Sequence, residues 1–251
     1  MLSVMPMLSV IIPAYNEEHF LGQTLEAVTK AIAEVGVEAE IIVSNDGSTD
    51  RTEQIAQEHG AQVVTVQHRQ IAATRNSGAA AAKGDRLLFL DADTILPAET
   101  LRAGLQALAD GAVGCGVSIQ FDRKPNLFIR MMAWMITAPM RLMKCGPGCC
   151  LFADRTAFEE SGGFPEEHYA SEEIWFCRAM GRLGRFVMLK ESVITSARKM
   201  DYHSTGRIFW MMIKLAVKGP NGTKSRKDLE LWYDGQRQQP AAPGGGSGAA
   251  E

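Results

Sequence analysis

Arg86-Leu-Leu-Phe-Leu-Asp-Ala-Asp93 is an apolar run that passes directly into two carboxylates separated by one alanine. A short continuous apolar run reads as a strand buried on both faces. Asp91 and Asp93 then stand at its C-terminal end. Working back from it, Gly84 breaks an Ala-rich helical stretch from Ile71 to Ala82, and Gln62-Val-Val-Thr-Val66 reads as a strand. Before that, Glu40-Ile-Ile-Val43 is a strand whose exit turn is Asn45-Asp-Gly-Ser-Thr-Asp50. Asp50 is placed to cap the next helix, with Glu53 completing a capping box. Phe20, Leu21, Leu25, Val28 and Ile32 recur at helical spacing, and Leu8-Ser-Val-Ile-Ile12 is a β-branched strand ended by Pro13.

Strand and helix alternate throughout this half. The pattern predicts an α/β fold, a mostly parallel central sheet with helices on both faces. Such sheets bind ligands beyond the carboxyl ends of their strands. Asn16-Glu17, Asn45-Asp46 and Asp91–Asp93 each follow a strand, so they are expected to converge on one crevice. Past residue 110 the pattern is mixed, with Gly-rich turns, Met-rich helices and a further strand at Phe186-Val-Met-Leu189.

Charge divides the chain. Residues 1–110 carry 7 basic against 15 acidic side chains, and residues 111–251 carry 19 against 14. Eight basic residues between Arg198 and Lys227 face one acid, Asp201. A strip of that kind suits phosphate-bearing ligands, an anionic membrane surface, or plain solvation. Nothing points to nucleic acid. The apolar segments 127–143 and 208–217 are too short and too charged to span a bilayer. A membrane interface, an apolar acceptor groove, and core or dimer packing all remain open for them.

Met1 to Pro13 has no secretory-signal character, so a cytoplasmic chain with reduced thiols is expected, at the inner face of the membrane if it meets one. Cys115, Cys145, Cys149, Cys150 and Cys177 read as small buried residues. Pro240 onward is low-complexity, and 231–251 is expected to be a disordered tail. The remainder, 1–230, reads as one domain in two halves, 7–110 and 111–230.

Two carboxylates one residue apart at a strand end are a compact pair of hard oxygen ligands. Mg²⁺ or Mn²⁺ held this way keeps positions open for phosphate oxygens and water. Pro13-Ala-Tyr-Asn-Glu17, Asn45-Asp-Gly-Ser-Thr-Asp50, Arg75-Asn-Ser-Gly78 and Asp91-Ala-Asp93 form an ordered set. Together they resemble the inverting glycosyltransferase family 2, built on the GT-A fold, over about residues 7–200.

The resemblance implies a nucleotide-sugar-binding half at 7–110, an acceptor-side half at 111–230, and roles for single residues. Pro13, Tyr15 and Glu17 would line the nucleotide pocket. Asp46 would accept a hydrogen bond from the base, often uracil, although Asn45 stands where the family often has a first acid. Arg75 lies where a basic residue commonly approaches base or diphosphate. Asp93 would be the direct metal ligand, while Asp91 would meet the donor ribose or a metal-bound water. Glu172 and Glu173 match the acidic pair that supplies the general base, with Glu173 favoured. Gly148 and Gly162-Gly163 lie in the segment bordering sugar and acceptor. Arg198 would be a loop cation on the diphosphate, and His203 a third metal ligand; a plain surface His is the other reading of His203, as of His168.

The activity implied is transfer, with inversion, of a sugar from a nucleotide diphosphate sugar (UDP-sugar favoured) to an acceptor hydroxyl, in cell-envelope glycan or glycolipid synthesis. A nucleotidyltransferase and a non-catalytic nucleotide-sugar-binding protein are the rivals. The first needs a Gly-rich phosphate loop after strand one, which Pro13–Glu17 is not. The intact acids at 172 and 173 argue against the second.

Overall fold

The computed structural model describes residues 7–122 and 145–196 of the 251-residue chain. The segments 127–143 and 208–217, the strip 198–227 with the candidate site residues Arg198 and His203, and the tail 231–251 lie outside the described residues. The alternation expected for the first half is present: β1 (Leu8–Ala14), α1 (Leu21–Val35), β2 (Ala39–Asn45), α2 (Thr52–Glu58), β3 (Gln62–Thr65), α3 (Ile71–Ala81) and β4 (Arg86–Leu90). There follow β5 (Thr94–Ile95), α4 (Ala98–Ala109), β6 (Gly114–Phe121), β7 (Cys150–Asp154), α5 (Arg155–Ser161), α6 (Glu172–Leu183) and β8 (Phe186–Thr195).

The strands form one sheet in the order β3-β2-β1-β4-β7-β6-β8-β5. β1 to β4 are mutually parallel, as is β6 with β8. β7 runs antiparallel between β4 and β6, and β5 pairs antiparallel with β8. Successive strand residues point to opposite faces, and both faces are buried. Val10, Ile12, Val43, Leu88 and Leu90 pack with Leu21, Leu25 and Val28 of α1 and Leu101 and Leu105 of α4. Ile11, Ile42, Leu87 and Phe89 pack with Ala72 and Ala79 of α3, Phe158 of α5 and Phe176 of α6.

Two local expectations change. β1 does not stop at Pro13 but continues to Ala14, opposite Asn45. The Ala14 carbonyl accepts from Asp46 N on the β2 side. Pro13 therefore turns its hydrogen-free nitrogen toward β4, where pairing has already ended at Ile11. The capping box before α2 does not form. Asp50 Oδ1 accepts from Thr52 N at 3.0 Å, while its Oδ2 accepts from Glu18 N at 3.1 Å. Glu53 turns to the Asn45 amide instead, at 2.9 Å. The loop after β1 comes close enough to compete for these groups, a tertiary contact that local spacing does not encode.

No helix among the described residues is long and apolar enough to cross a membrane.

Candidate active site

β7 decides where the site lies. Its antiparallel register sets Cys150 opposite Leu90, and the Asp91 N–H donates to the Cys149 carbonyl at 3.0 Å. The residues entering β7 are thereby laid across the carboxyl end of β4. Gly148 reaches Arg75, whose Nη2 donates to the Gly148 carbonyl at 2.8 Å.

Arg75 projects from α3 and is only 1% exposed. Its Nη2 also meets Asp91 Oδ1 at 2.9 Å, and its Nη1 meets Glu172 Oε1 at 2.7 Å. Burial opposes its charge, but the carboxylates of Asp91, Glu172 and Glu173 overcome that penalty and raise its pKa. The guanidinium face lies 5.1 Å from the centroid of the Phe164 ring. Arg75 is thus a buried brace joining β4, β7 and α6. The structure commits it to protein acceptors rather than directing it at open space.

The acid pair sits at the head of α6. Ser171, just before it, has φ of +59°, a left-handed conformation costly for a residue with a side chain. Glu172 is buried against Arg75, whereas Glu173 is half-buried beside it. Burial, then the neighbouring Glu172 carboxylate, push the Glu173 carboxyl up to about 8, against the pull of Arg75. The two acids therefore divide their work: one balances a buried cation, and the other titrates near neutral pH. His168, in the loop before them, is buried and stacked on Trp175 at 5.1 Å, so it is no surface histidine.

The loops after β1 and β2 are laced together. Glu17 N donates to Thr52 Oγ1 at 2.7 Å, Asn16 N to Ser48 Oγ at 3.0 Å, and Thr49 N to Asn16 Oδ1 at 2.8 Å. Asn16 adopts φ of +53° to make this turn. Arg69 covers the ring of Tyr15 at 4.0 Å. Asp46 is buried and accepts from His68 N, Arg69 N, Gln70 N and Thr74 Oγ1 at 2.6, 2.9, 3.2 and 2.9 Å. A carboxylate offers about four acceptor positions, and these bonds occupy them. Asp46 thereby anchors the start of α3.

Asp91 and Asp93 are both half-buried at the mouth of β4. No described residue donates to Asp91 Oδ2, which leaves one hard oxygen of this carboxylate outside the brace. Among the described residues no group of three or more His, Cys, Asp or Glu could hold a metal by itself. Two carboxylates with the remainder supplied by phosphate and water suit Mg²⁺ or Mn²⁺, so the residues present fit such an ion. All five cysteines carry free thiols, four of them buried.

The structure therefore brings Arg75, Asp91, Glu172 and Glu173 together, and places Pro13 near the end of β1 with Tyr15, Glu17 and Asp46 in the adjoining loops after β1 and β2. Sequence reading passed over Gln70 and Asn76, which bond the loop before the acid pair, and Phe164 within that loop. Asn76 was in view within Arg75-Asn-Ser-Gly78, but its partners lie some 90 positions on, at Phe164 and Glu166. Gly78 has a packing role in the same stretch: a Cβ there would lie 2.5 Å from Ile11 Cγ2 and 2.3 Å from Ser44 Oγ.

A family model described as Glycosyl transferase family 2 matches residues 9–191. The chain is 34% identical over 139 residues to an undecaprenyl-phosphate 4-deoxy-4-formamido-L-arabinose transferase of Edwardsiella ictaluri, covering 51% of this chain and 41% of the relative. To the protein of that name from Pseudomonas aeruginosa (strain LESB58) it is 30% identical over 170 residues, covering 62% and 49%. The chain thus spans less than half the length of these curated relatives. Among solved structures, mannosyltransferase PcManGT from Pyrobaculum calidifontis, in complex with GDP-Man and Mn²⁺, aligns with a TM-score of 0.65 at 22% identity, over 92% of this chain and 70% of that one. S. aureus TarS 1–349 in complex with UDP aligns with a TM-score of 0.62 at 18% identity, over 91% and 70%. At those identities the likeness is one of fold.

Proposed function

Given that the chain belongs to glycosyltransferase family 2 and has its GT-A fold, we propose that this glycosyltransferase takes a sugar from a nucleotide diphosphate donor and passes it, with inversion, to an acceptor of the cell envelope. The observation that carries the reading is the pairing of roles at the head of α6. Glu172 is tied to Arg75 at 2.7 Å, and Glu173 beside it is pushed up to about 8.

Glu173 acts as general base. A carboxyl that titrates near the working pH accepts a proton from a hydroxyl more readily than an ordinary one. Glu172, held by Arg75 at 2.7 Å, orients the head of α6. The donor diphosphate lies across the ends of β1, β2 and β4, with the nucleoside toward Tyr15 and Asp46. Asp93 and Asp91 Oδ2 would hold Mg²⁺ or Mn²⁺, which supplies Lewis-acid neutralisation of the charge on the departing diphosphate. The Mn²⁺ and GDP-Man named with PcManGT, and the UDP named with TarS, support a donor and ion of this class.

A second reading of the acceptor follows from the relatives' names, which specify undecaprenyl phosphate. A lipid phosphate is already anionic and needs no base; Glu173 in its protonated form would then donate a hydrogen bond to it. The pH dependence separates the two. With a hydroxyl acceptor the rate climbs as Glu173 ionises through about pH 8, and with a phosphate acceptor it falls there. The founding experiment is transfer from a panel of UDP-, GDP- and dTDP-sugars with Mn²⁺, offered a polyprenyl phosphate and glycan acceptors in separate arms. Lack of turnover with every donor overturns the donor class.

A further inference from the structure

The segment between α5 and α6 has no ladder of its own, and three of its residues have positive φ: Gly162 at +81°, Gly163 at +72° and Ser171 at +59°. A ten-residue stretch of this kind costs considerable backbone entropy to hold in one shape. It is held by two amide side chains from α3 and the residue before it.

Asn76 grips Phe164 in both directions. Its Nδ2 donates to the Phe164 carbonyl at 2.9 Å, and the Phe164 N–H donates to its Oδ1 at 2.9 Å. A further bond runs from Nδ2 to Glu166 Oε1 at 2.9 Å. Gln70 Nε2 donates to the Glu166 carbonyl, and to that of His168 at 3.4 Å. Asn76 can come this close because residue 163 has no Cβ: one built there would lie 2.8 Å from Asn76 Oδ1.

Phe164 carries the constraint onward. Its ring stacks on Phe176 of α6 at 4.2 Å and lies beneath the Arg75 guanidinium. Phe176 is one helical turn past Glu172 and Glu173, and on the buried side of α6. Neighbouring residues of α3 thus fix both ends of the segment: Asn76 through Phe164, and Arg75 through Glu172.

We propose that Asn76 is a positioning residue for Glu173, acting through the Phe164 backbone and the Phe164–Phe176 stack without touching substrate. Gln70 is its auxiliary, seating the middle of the segment. The proposal rests on the reading of Glu173 as the group that meets the acceptor. Misplacing such a group by about 1 Å costs on the order of a hundredfold in rate, so a small shift of the head of α6 is expressed in kcat.

The test compares the full chain with Asn76→Ala, Gln70→Ala, Asn76→Asp and Asn76→Asp/Glu166→Gln. Each is assayed for kcat, donor KM and amide exchange at Phe164 and the first turn of α6. Asn76→Ala is expected to lose about ten- to a hundredfold in kcat, with donor KM within about twofold, and to exchange faster at Phe164. Asn76→Asp keeps the acceptor for Phe164 N–H but sets a carboxylate against Glu166. Glu166→Gln restores a donor there and is expected to recover part of kcat. Wild-type kcat in a folded Asn76→Ala overturns the proposal, as does loss of kcat merely in proportion to the unfolded fraction. If Asn76→Ala does not fold, Gln70→Ala carries the same comparison with a smaller expected loss, and wild-type kcat there overturns it. A wild-type protein that transfers no sugar defeats the functional reading instead; amide exchange then decides this one, and unchanged exchange at the head of α6 in Asn76→Ala overturns it.

Discussion

Arg75 Nη1 lies 2.7 Å from Glu172 Oε1, with the two side chains 2% and 6% exposed. A second guanidinium nitrogen meets Asp91 Oδ1 at 2.9 Å. One buried cation therefore ties the carboxylate end of β4 to the head of α6, elements separated by about 80 residues of chain. Buried ion pairs contribute little net stability compared with apolar packing, but breaking one by removing a partner is costly. The arrangement fixes geometry, and its loss strands two acids.

Removal of that cation should accordingly be severe. Arg75→Met is expected to lower unfolding free energy by about 3–5 kcal/mol, read from the denaturant midpoint. Arg75→Lys keeps charge but lacks the planar fork that serves three acceptors, so it should rescue only part. A wild-type midpoint in Arg75→Met would show that the brace is dispensable.

Metal dependence is expected at the other end of the brace. Asp93→Ala should abolish transfer, and EDTA should do so reversibly, with Mn²⁺ or Mg²⁺ restoring it. Full activity in excess EDTA rules out the ion.

The pH dependence follows from Glu173. With a hydroxyl acceptor, kcat/KM should rise with an apparent pKa of about 8, and Glu173→Gln should lose the base and that limb together. Stability runs the other way. The folded chain keeps this proton in a range where an unfolded carboxyl, near 4.5, has lost it. The resulting stabilisation is full below about pH 4.5 and is lost as pH rises through about 8. Glu173→Gln should flatten that slope in thermal unfolding between those limits.

Asn45 stands where the family often has an acid, and its Nδ2 donates to Glu53 Oε2 at 2.9 Å. Asn45→Asp would replace that bond with two facing carboxylates. Loss of about 1 kcal/mol is expected, with Glu53→Gln as a suppressor. An undiminished midpoint in Asn45→Asp would show that the contact contributes nothing.

Gly78→Ala tests the seat of α3. Alanine favours helix by roughly 1 kcal/mol, but its Cβ would lie 2.5 Å from Ile11 on the central strand. Overpacking of that kind costs about 1–3 kcal/mol and should win, lowering the melting temperature.

Much of the first half was legible because its signals are local. Apolar runs such as Arg86–Leu90, set off from the preceding helix by Gly84 and ended by Asp91, announce a buried strand and its direction. The second half was less so. Cys150–Asp154 reads as a sugar-bordering segment, and only pairing with Leu90 and its neighbours reveals an antiparallel strand inserted between β4 and β6. The capping box at Asp50 and Glu53 failed for the same reason: Glu18 and Asn45 arrive from elsewhere and take the groups first.

By itself the sequence determined the element order of residues 8–90, the strand-end placement of Asp46 and Asp91, and the identity of the acids at 172 and 173. Those follow from periodicity and from residue chemistry at fixed spacing. Tertiary structure alone decided what each polar group faces. It turned Arg75 inward to Asp91 and Glu172, filled the acceptor positions of Asp46 with the backbone of 68–70 and the Thr74 hydroxyl, and pushed the Glu173 carboxyl up to about 8 by burial. A charge's partner and its solvation depend on distances across the sheet, and no spacing along the chain specifies those.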